Sequence, residues 1–324
     1  MLLLLLIAGL FLIAGGATIG YPEIIPLTLA AGVFAGLATL ASTSLNNVLV
    51  ADSSLNKSNI INLVAVICSL VVAINATSFG LSGAAFSIIL QPLLIILGAL
   101  LLDNRLIPKS FCIDKSVLRE VLSVGFRPFI SGVLILLTYQ LERWSIIFVL
   151  GPEYLGRYYL VIMYMTFFVL LPVSLLNMHF PYAIRAYEKG QIKLFKGLVK
   201  RHILELVSYC IVASVVTFLC LSKVVFLFAN QYIDSIHLVF LALPALILFV
   251  LRDSSSLVLH SMKILTPVLL SAGLFLSIYT LMIFFSIWLG VFNLESLVIL
   301  RAGAIFISTI YLIKVQYSKL SRLE

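Results

Sequence analysis

The sequence predicts an all-α integral membrane protein with about ten transmembrane helices. Hydrophobic residues make up 62% of the chain and charged residues only 10%, whereas soluble domains carry roughly a quarter charged residues. The hydrophobic residues also form continuous runs, such as 81–102, which match the length of about 20 residues that a helix needs to cross a bilayer. Transmembrane β-strands would instead alternate polar and apolar residues, so helices are predicted throughout.

The apolar runs and the polar stretches between them define three predicted regions. Residues 1–102 are expected to form a partial N-terminal bundle of four helices, 103–125 a cytoplasmic amphipathic connector, and 126–324 a C-terminal bundle of six helices. The ten predicted spans are 2–20, 24–45, 60–74, 81–102, 127–150, 157–176, 203–221, 237–251, 265–289 and 297–313.

The distribution of basic residues predicts the orientation. If the N-terminus is cytoplasmic and the spans alternate, Arg143, Arg157, Lys223 and Arg301 fall on the outer side, and the other seventeen of the 21 lysines and arginines fall on the cytoplasmic side. Cytoplasmic loops of membrane proteins are enriched in Lys and Arg. This asymmetry predicts that both termini are cytoplasmic. It also explains the net charge of +8 without any nucleic-acid partner.

Several charged residues lie inside the predicted spans or at their ends. A charged side chain near the bilayer centre costs about 2.5 to 3.5 kcal/mol on insertion scales, so such residues are commonly functional. Arginine suits phosphate because its planar guanidinium can bond two oxygens at once. We therefore expect a cationic, water-filled cavity between helices. Its candidate residues are Arg143, Arg127, Arg301, Arg157 and Arg252, with Glu142 as a coupling or orienting group.

A structural interpretation of the same charges stays open. Glu142 and Arg143 could neutralise each other or a neighbour, although adjacent helical residues point about 100° apart. The remaining arginines could extend to the membrane interface. The sequence contains no recognisable catalytic motif and no His or Cys spacing typical of a metal site, so neither an enzyme nor a metal or organic cofactor is predicted.

A set of motifs between 125 and 191 resembles the O-antigen flippases (Wzx), a polysaccharide-export branch of the multidrug/oligosaccharidyl-lipid/polysaccharide (MOP) exporter superfamily. A Gly-rich helix start earlier in the chain, FGLSGAAFS at 79–87, resembles the same family. The matching residues are Gly125 with Pro128, Leu141-Glu142-Arg143, Leu150-Gly151, Leu155-Gly156, Tyr158, and Pro181 with Arg185.

This resemblance implies a function and a site. It implies that the protein moves an undecaprenyl-diphosphate-linked oligosaccharide from the cytoplasmic to the periplasmic face of the bacterial inner membrane. Arg143 and Arg127 would contact the diphosphate, and Glu142 would couple a proton or sodium ion or orient Arg143. Other polysaccharide-assembly membrane proteins and membrane lipids would be its partners. Because family members have twelve or more helices in two bundles, the chain is expected to correspond to all but the first two.

Three alternatives remain open at the level of sequence. The first is a multidrug exporter of the same superfamily, which Glu142 among several arginines disfavours because cationic drugs need carboxylates. The second is a membrane-embedded polysaccharide polymerase or ligase, although the predicted outer loops are short and poor in polar residues. The third is a fragment that inserts into the membrane without transporting.

Overall fold

The computed structural model describes residues 25–51, 55–76, 80–102 and 115–322, and almost all of these residues are helical. The predicted first span, 2–20, and most of the predicted connector, 103–114, lie outside the described residues. The chain divides into two compact units, 1–113 and 114–324. The all-α prediction is confirmed.

The first unit contains three described helices: α1 (Ile25–Ala51), α2 (Leu55–Ala76) and α3 (Gly80–Leu102). Helix α3 packs against both of the others. Ile61 of α2 and Ala99 of α3 are buried at the contact, with Leu45 of α1 beside them. A Cβ on Gly98 would lie 3.0 Å from the Ile61 side chain, so glycine at this position allows α2 and α3 to approach closely.

The second unit contains six long helices. They are α4 (Lys115–Ser145), α5 (Pro152–Glu188), α6 (Ile192–Phe228), α7 (Ile236–Ser261), α8 (Thr266–Trp288) and α9 (Leu294–Ser321). A π-helical turn (Ile146–Leu150) extends α4, and a 3₁₀ turn (Asn230–Ser235) precedes α7. Helix α7 packs against α5, α6 and α9, and α8 packs against α4 and α9.

Several helices extend beyond the predicted spans. Helix α4 begins at Lys115 rather than at 127, and the basic stretch 177–201 is helical except for a short turn after Glu188. The prediction ended each span where hydropathy fell, but a helix can continue past the hydrocarbon because Lys and Arg place their charged ends in water. Among the described residues, six helices are long and apolar enough to cross a membrane, and α1 to α3 carry shorter apolar stretches.

Glycine and proline separate α4 from α5. Gly151 has φ of 107°, a conformation that side chains with a Cβ rarely adopt. Its backbone N–H donates to the Ile146 carbonyl and closes the π-helical turn. Pro152 then occupies the first turn of α5, where its missing N–H costs nothing.

Side-chain contacts between the connecting turns identify the two ends of the second unit. At one end, the Nζ of Lys263, which follows α7, lies 2.9 Å from the Oε1 of Glu188 at the end of α5. At the opposite end, the Nε2 of His237 at the start of α7 lies 3.2 Å from the Oε1 of Glu295 at the start of α9. We call the first the basic end, because most of the lysines and arginines of this unit belong to helix ends and turns there.

Candidate binding cavity in the second unit

A buried ion pair links α4 to α9. The Arg301 Nη1 donates to Glu142 Oε2 at 2.9 Å and to Oε1 at 3.3 Å. Both side chains are almost fully buried, Glu142 at 3% and Arg301 at 4% exposure. Glu142 therefore pairs with Arg301, 159 positions away in the sequence, rather than with its neighbour Arg143.

Aromatic side chains surround this ion pair. The Tyr158 hydroxyl donates to Glu142 Oε1, and the Arg301 guanidinium lies 5.1 Å from the centre of the Tyr139 ring, within the range of a cation–π interaction. The Arg301 Nη1 also lies 3.1 Å from Met165 Sδ. Within the described part of the chain, the Arg301 Nη2 and the buried Tyr279 hydroxyl have no hydrogen-bond partner.

The ion pair forms part of the wall of a cavity of about 550 Å³, a size typical of ligand pockets. Helices α4, α5, α7 and α9 contribute to its wall. Helix α5 supplies a mainly apolar stripe with the spacing of a single helix face, about 18 Å long by helix rise. The stripe consists of Ile162, Met165, Thr166, Val169, Leu170, Val173 and Ser174.

Arg143 also lines this cavity. It follows Glu142 directly on α4, is half-buried and makes no ion pair with any residue that the structure describes. Its guanidinium therefore has no carboxylate partner within the described second unit.

Asp253 is a lining residue that the sequence analysis did not select. It lies on α7, is half-buried and faces the cavity. Its Oδ1 is 3.8 Å from the Arg252 Nη1, and Arg252 itself is buried, with its Nε donating to Ser271 Oγ at 3.2 Å. Arg252 therefore lies behind the cavity wall and balances the charge of Asp253.

Two of the selected arginines lie elsewhere. Arg127 is exposed near the middle of α4 and does not line the cavity. Arg157 is exposed near the start of α5 and lines a separate pocket of about 250 Å³, together with Tyr154, Asp234 and Glu295. The structure thus brings Glu142, Arg143 and Arg301 together and leaves Arg127 and Arg157 apart from them.

The formal charges that line the cavity cancel, because two arginines, Arg143 and Arg301, and two carboxylates, Glu142 and Asp253, lie in its wall. Arg252, behind the wall, adds one positive charge beside Asp253. Among the residues that the structure describes, no group of three or more His, Cys, Asp or Glu side chains is arranged to hold a metal ion. The polar part of this cavity thus presents Arg143, without an ion-pair partner among the described residues, and the half-buried Asp253, while its α5 side is mainly apolar.

Comparisons with known proteins identify the fold. No protein-family model and no curated protein matches the sequence. Among solved structures, a multidrug resistance MATE family transporter of the MOP superfamily in an outward-facing conformation is similar at a TM-score of 0.76 and 14% identity, over 100% of this chain and 78% of that one. A MATE family transporter of the MOP superfamily in an inward-facing conformation is similar at a TM-score of 0.68 and 15% identity, over 99% of this chain and 80% of that one.

A MOP superfamily transporter from Pyrococcus furiosus is also similar, at a TM-score of 0.74 and 14% identity, over 99% of this chain and 75% of that one. The chain therefore has the all-helical fold of MATE-type transporters of the MOP superfamily. The superfamily fold that the motifs predicted is confirmed, and the flippase branch within it stays a prediction. These structural neighbours are transporters rather than enzymes.

Proposed function

We propose that the protein is a transporter that moves a lipid-linked anion across the membrane, as a flippase for undecaprenyl-diphosphate-linked oligosaccharide. The observation that carries the proposal is the placement of Arg143. Its guanidinium lacks a carboxylate partner among the described residues and lies in the same cavity as the apolar stripe of α5. A diphosphate with a polyprenyl tail needs this combination, because its head is anionic and its tail is hydrocarbon.

The buried ion pair gives Arg301 and Arg143 different roles in the proposed binding of the diphosphate. Arg301 is held by Glu142 and Tyr139, so it contributes its remaining N–H donors in a fixed position. Arg143 can instead reorient towards a phosphate and form charge-assisted hydrogen bonds, which are about twice as strong as neutral ones. An inside-negative membrane potential also favours outward movement of an anion by about 2.3 kcal/mol per charge per 100 mV.

Reconstituted protein provides the test. The full chain is placed in vesicles of phosphatidylethanolamine and phosphatidylglycerol that contain a fluorescent polyprenyl diphosphate disaccharide, and a membrane-impermeant quencher reports how fast the probe changes leaflet. We expect Arg143→Ala to slow flipping by about 10- to 100-fold, since charge-assisted hydrogen bonds contribute about 1.5 to 3 kcal/mol. Arg185→Ala, which removes an exposed arginine at the end of α5, is the matched control and should flip at the wild-type rate.

Equal rates for Arg143→Ala and wild type would contradict the proposal, as would an equal loss in Arg185→Ala. A wild-type rate no higher than that of protein-free vesicles would contradict it as well.

A second candidate function follows from Asp253 and the fold. The structural neighbours include multidrug resistance MATE transporters, and a carboxylate in the cavity wall could bind a cationic drug. Ethidium uptake into the same vesicles discriminates the two functions. A multidrug exporter should transport ethidium in a manner that depends on Asp253, whereas the proposed flippase should leave ethidium outside.

A further inference from the structure

A second pocket, of about 250 Å³, lies at the opposite end of the second unit, where α5, α7 and α9 begin. Among the described residues, it shares no lining residue with the main cavity. Its wall includes the side chains of Tyr154, Arg157, Asp234, His237 and Glu295. The transport site proposed above uses none of them.

Arg157 and Asp234 bring opposite charges to this pocket without pairing. The Arg157 guanidinium lies 5.5 Å from the centre of the Tyr154 ring, but neither Arg157 nor Asp234 forms an ion pair with a residue that the structure describes. Both side chains are exposed. Two opposite charges that line one pocket without contacting each other are separated by its interior, so a single ligand that carries both charges can bind both.

A second carboxylate, Glu295, lines the same pocket. Its Oε1 lies 3.2 Å from the His237 Nε2, and its side chain remains 57% exposed. With His237 neutral, the pocket therefore carries one guanidinium and two carboxylates that a ligand can reach. This set fits a zwitterion whose cationic group is an ammonium, because an ammonium has three N–H donors and can bond several oxygens at once.

The helix surface beside the pocket is apolar. Leu241 lies four residues after His237 on α7, and Ile299 lies four residues after Glu295 on α9. Residues four apart share one helix face, and these two side chains are 37% and 56% exposed. Since α7 and α9 pack against each other and both are long and apolar enough to cross a membrane, the charged pocket continues into exposed hydrocarbon surface. This arrangement favours a lipid over a soluble zwitterion.

We propose that this pocket binds the headgroup of phosphatidylethanolamine from the surrounding bilayer. The Arg157 guanidinium binds the phosphate, to which its planar fork can donate two hydrogen bonds. Asp234 and Glu295 accept hydrogen bonds from the ammonium, and the acyl chains lie on Leu241 and Ile299. The site depends neither on the transported substrate nor on which end of the unit faces the cytoplasm.

Related compounds lack one part of this match each. Phosphatidylglycerol has the phosphate but no ammonium. Phosphatidylcholine carries the same two charges as phosphatidylethanolamine, but its quaternary nitrogen has no N–H to donate to the carboxylates. Glycerophosphoethanolamine has the whole headgroup but no acyl chains, so it loses the contacts with Leu241 and Ile299. The three compounds therefore test the ammonium charge, its N–H groups and the acyl chains separately.

Native mass spectrometry of the delipidated full chain in detergent measures the dissociation constant of the first bound lipid. The three lipids carry identical palmitoyl and oleoyl chains. We expect phosphatidylethanolamine to bind wild-type protein about 10-fold more tightly than the other two, since charge-assisted hydrogen bonds contribute a factor of about this size or more. Glycerophosphoethanolamine at the same concentration should form no detectable complex.

Substitutions in the pocket separate the two halves of the headgroup. Asp234→Asn and Arg157→Gln should each weaken phosphatidylethanolamine binding by about 3- to 10-fold, because each removes one charged partner at an exposed site. Asp234→Asn should also reduce the preference over phosphatidylglycerol. Arg157→Gln should preserve that preference, since both lipids have the phosphate that Arg157 contacts.

Glu153→Gln and Lys223→Gln are the matched controls. Both residues are exposed charges near the same end of the unit, at the start of α5 and towards the end of α6, and neither lines the pocket. We expect both variants to bind phosphatidylethanolamine as wild type does.

Equal affinities of wild-type protein for the three lipids would overturn the proposal, and this comparison needs no variant to fold. Unchanged binding in both Asp234→Asn and Arg157→Gln would overturn it too, as would an equal loss in the two controls. If glycerophosphoethanolamine bound as tightly as the intact lipid, the bilayer would be overturned as the source of the ligand. The flippase test uses a different probe and a different arginine, so either proposal can fail without the other.

Discussion

Arg301 and Glu142 form a buried ion pair inside the second unit. The Arg301 Nη1 and the Glu142 Oε2 lie 2.9 Å apart, and the Tyr158 hydroxyl donates to the same carboxylate. Removing one partner of such a pair leaves an uncompensated buried charge at a cost of about 3 to 5 kcal/mol, whereas replacing both is often nearly neutral. We therefore expect Arg301→Met to destabilise the protein by about that amount.

The double variant Arg301→Met with Glu142→Gln should recover most of this loss, because the introduced amide oxygen can still accept the Tyr158 hydroxyl. The thermal unfolding midpoint of detergent-purified protein is the measurement. Additive losses in the two single variants and the double variant would show that the two charges do not interact.

The sequence alone identified Arg301 and Glu142 as candidate site residues, but it could not show that they pair with each other. A charge in an apolar run is visible by composition alone, whereas the partner is set by how α4 and α9 pack, 159 positions apart. Asp253 was missed for a related reason. The predicted site was cationic and the predicted eighth span ended at 251, whereas α7 continues to Ser261 and carries Asp253 along the cavity wall.

At the scale of elements, the junction of α4 and α5 depends on Gly151. Its φ of 107° and ψ of 161° belong to a region that essentially only glycine occupies, at a cost of about 1 to 3 kcal/mol for other residues. A Cβ there would meet no atom within 4 Å, so Gly151→Ala tests the backbone alone. We expect it to lower the free energy of unfolding by that amount, measured as the unfolding midpoint.

Gly156→Ala is the matched control for this junction. Gly156 lies in the first turns of α5, and a Cβ there also meets no atom within 4 Å. Because alanine is about 1 kcal/mol better than glycine inside a helix, this variant should be neutral or stabilising. A loss in Gly156→Ala equal to that in Gly151→Ala would contradict the backbone argument. The two glycines look alike in the sequence, in Leu150-Gly151 and Leu155-Gly156, and only the φ value distinguishes them.

At the scale of the whole molecule, the orientation in the membrane remains a prediction from charge. The structure adds that the α5–α6 and α7–α8 turns share one end of the second unit, since Lys263 pairs with Glu188. The basic residues of this unit are thus concentrated at one end in space as well as in sequence. Because basic loops stay in the cytoplasm, we expect the basic end to be cytoplasmic.

Cysteine labelling tests this orientation. In a variant whose four native cysteines are replaced, Lys189→Cys places a thiol on the exposed α5–α6 turn, and Val291→Cys places one on the exposed α8–α9 connection at the opposite end. A membrane-impermeant maleimide added to intact spheroplasts should label the residue at 291 and should reach that at 189 only after permeabilisation. The two turns are similarly exposed, so each serves as the accessibility control for the other. The reverse labelling pattern would show that the basic end faces outwards and would contradict the predicted orientation.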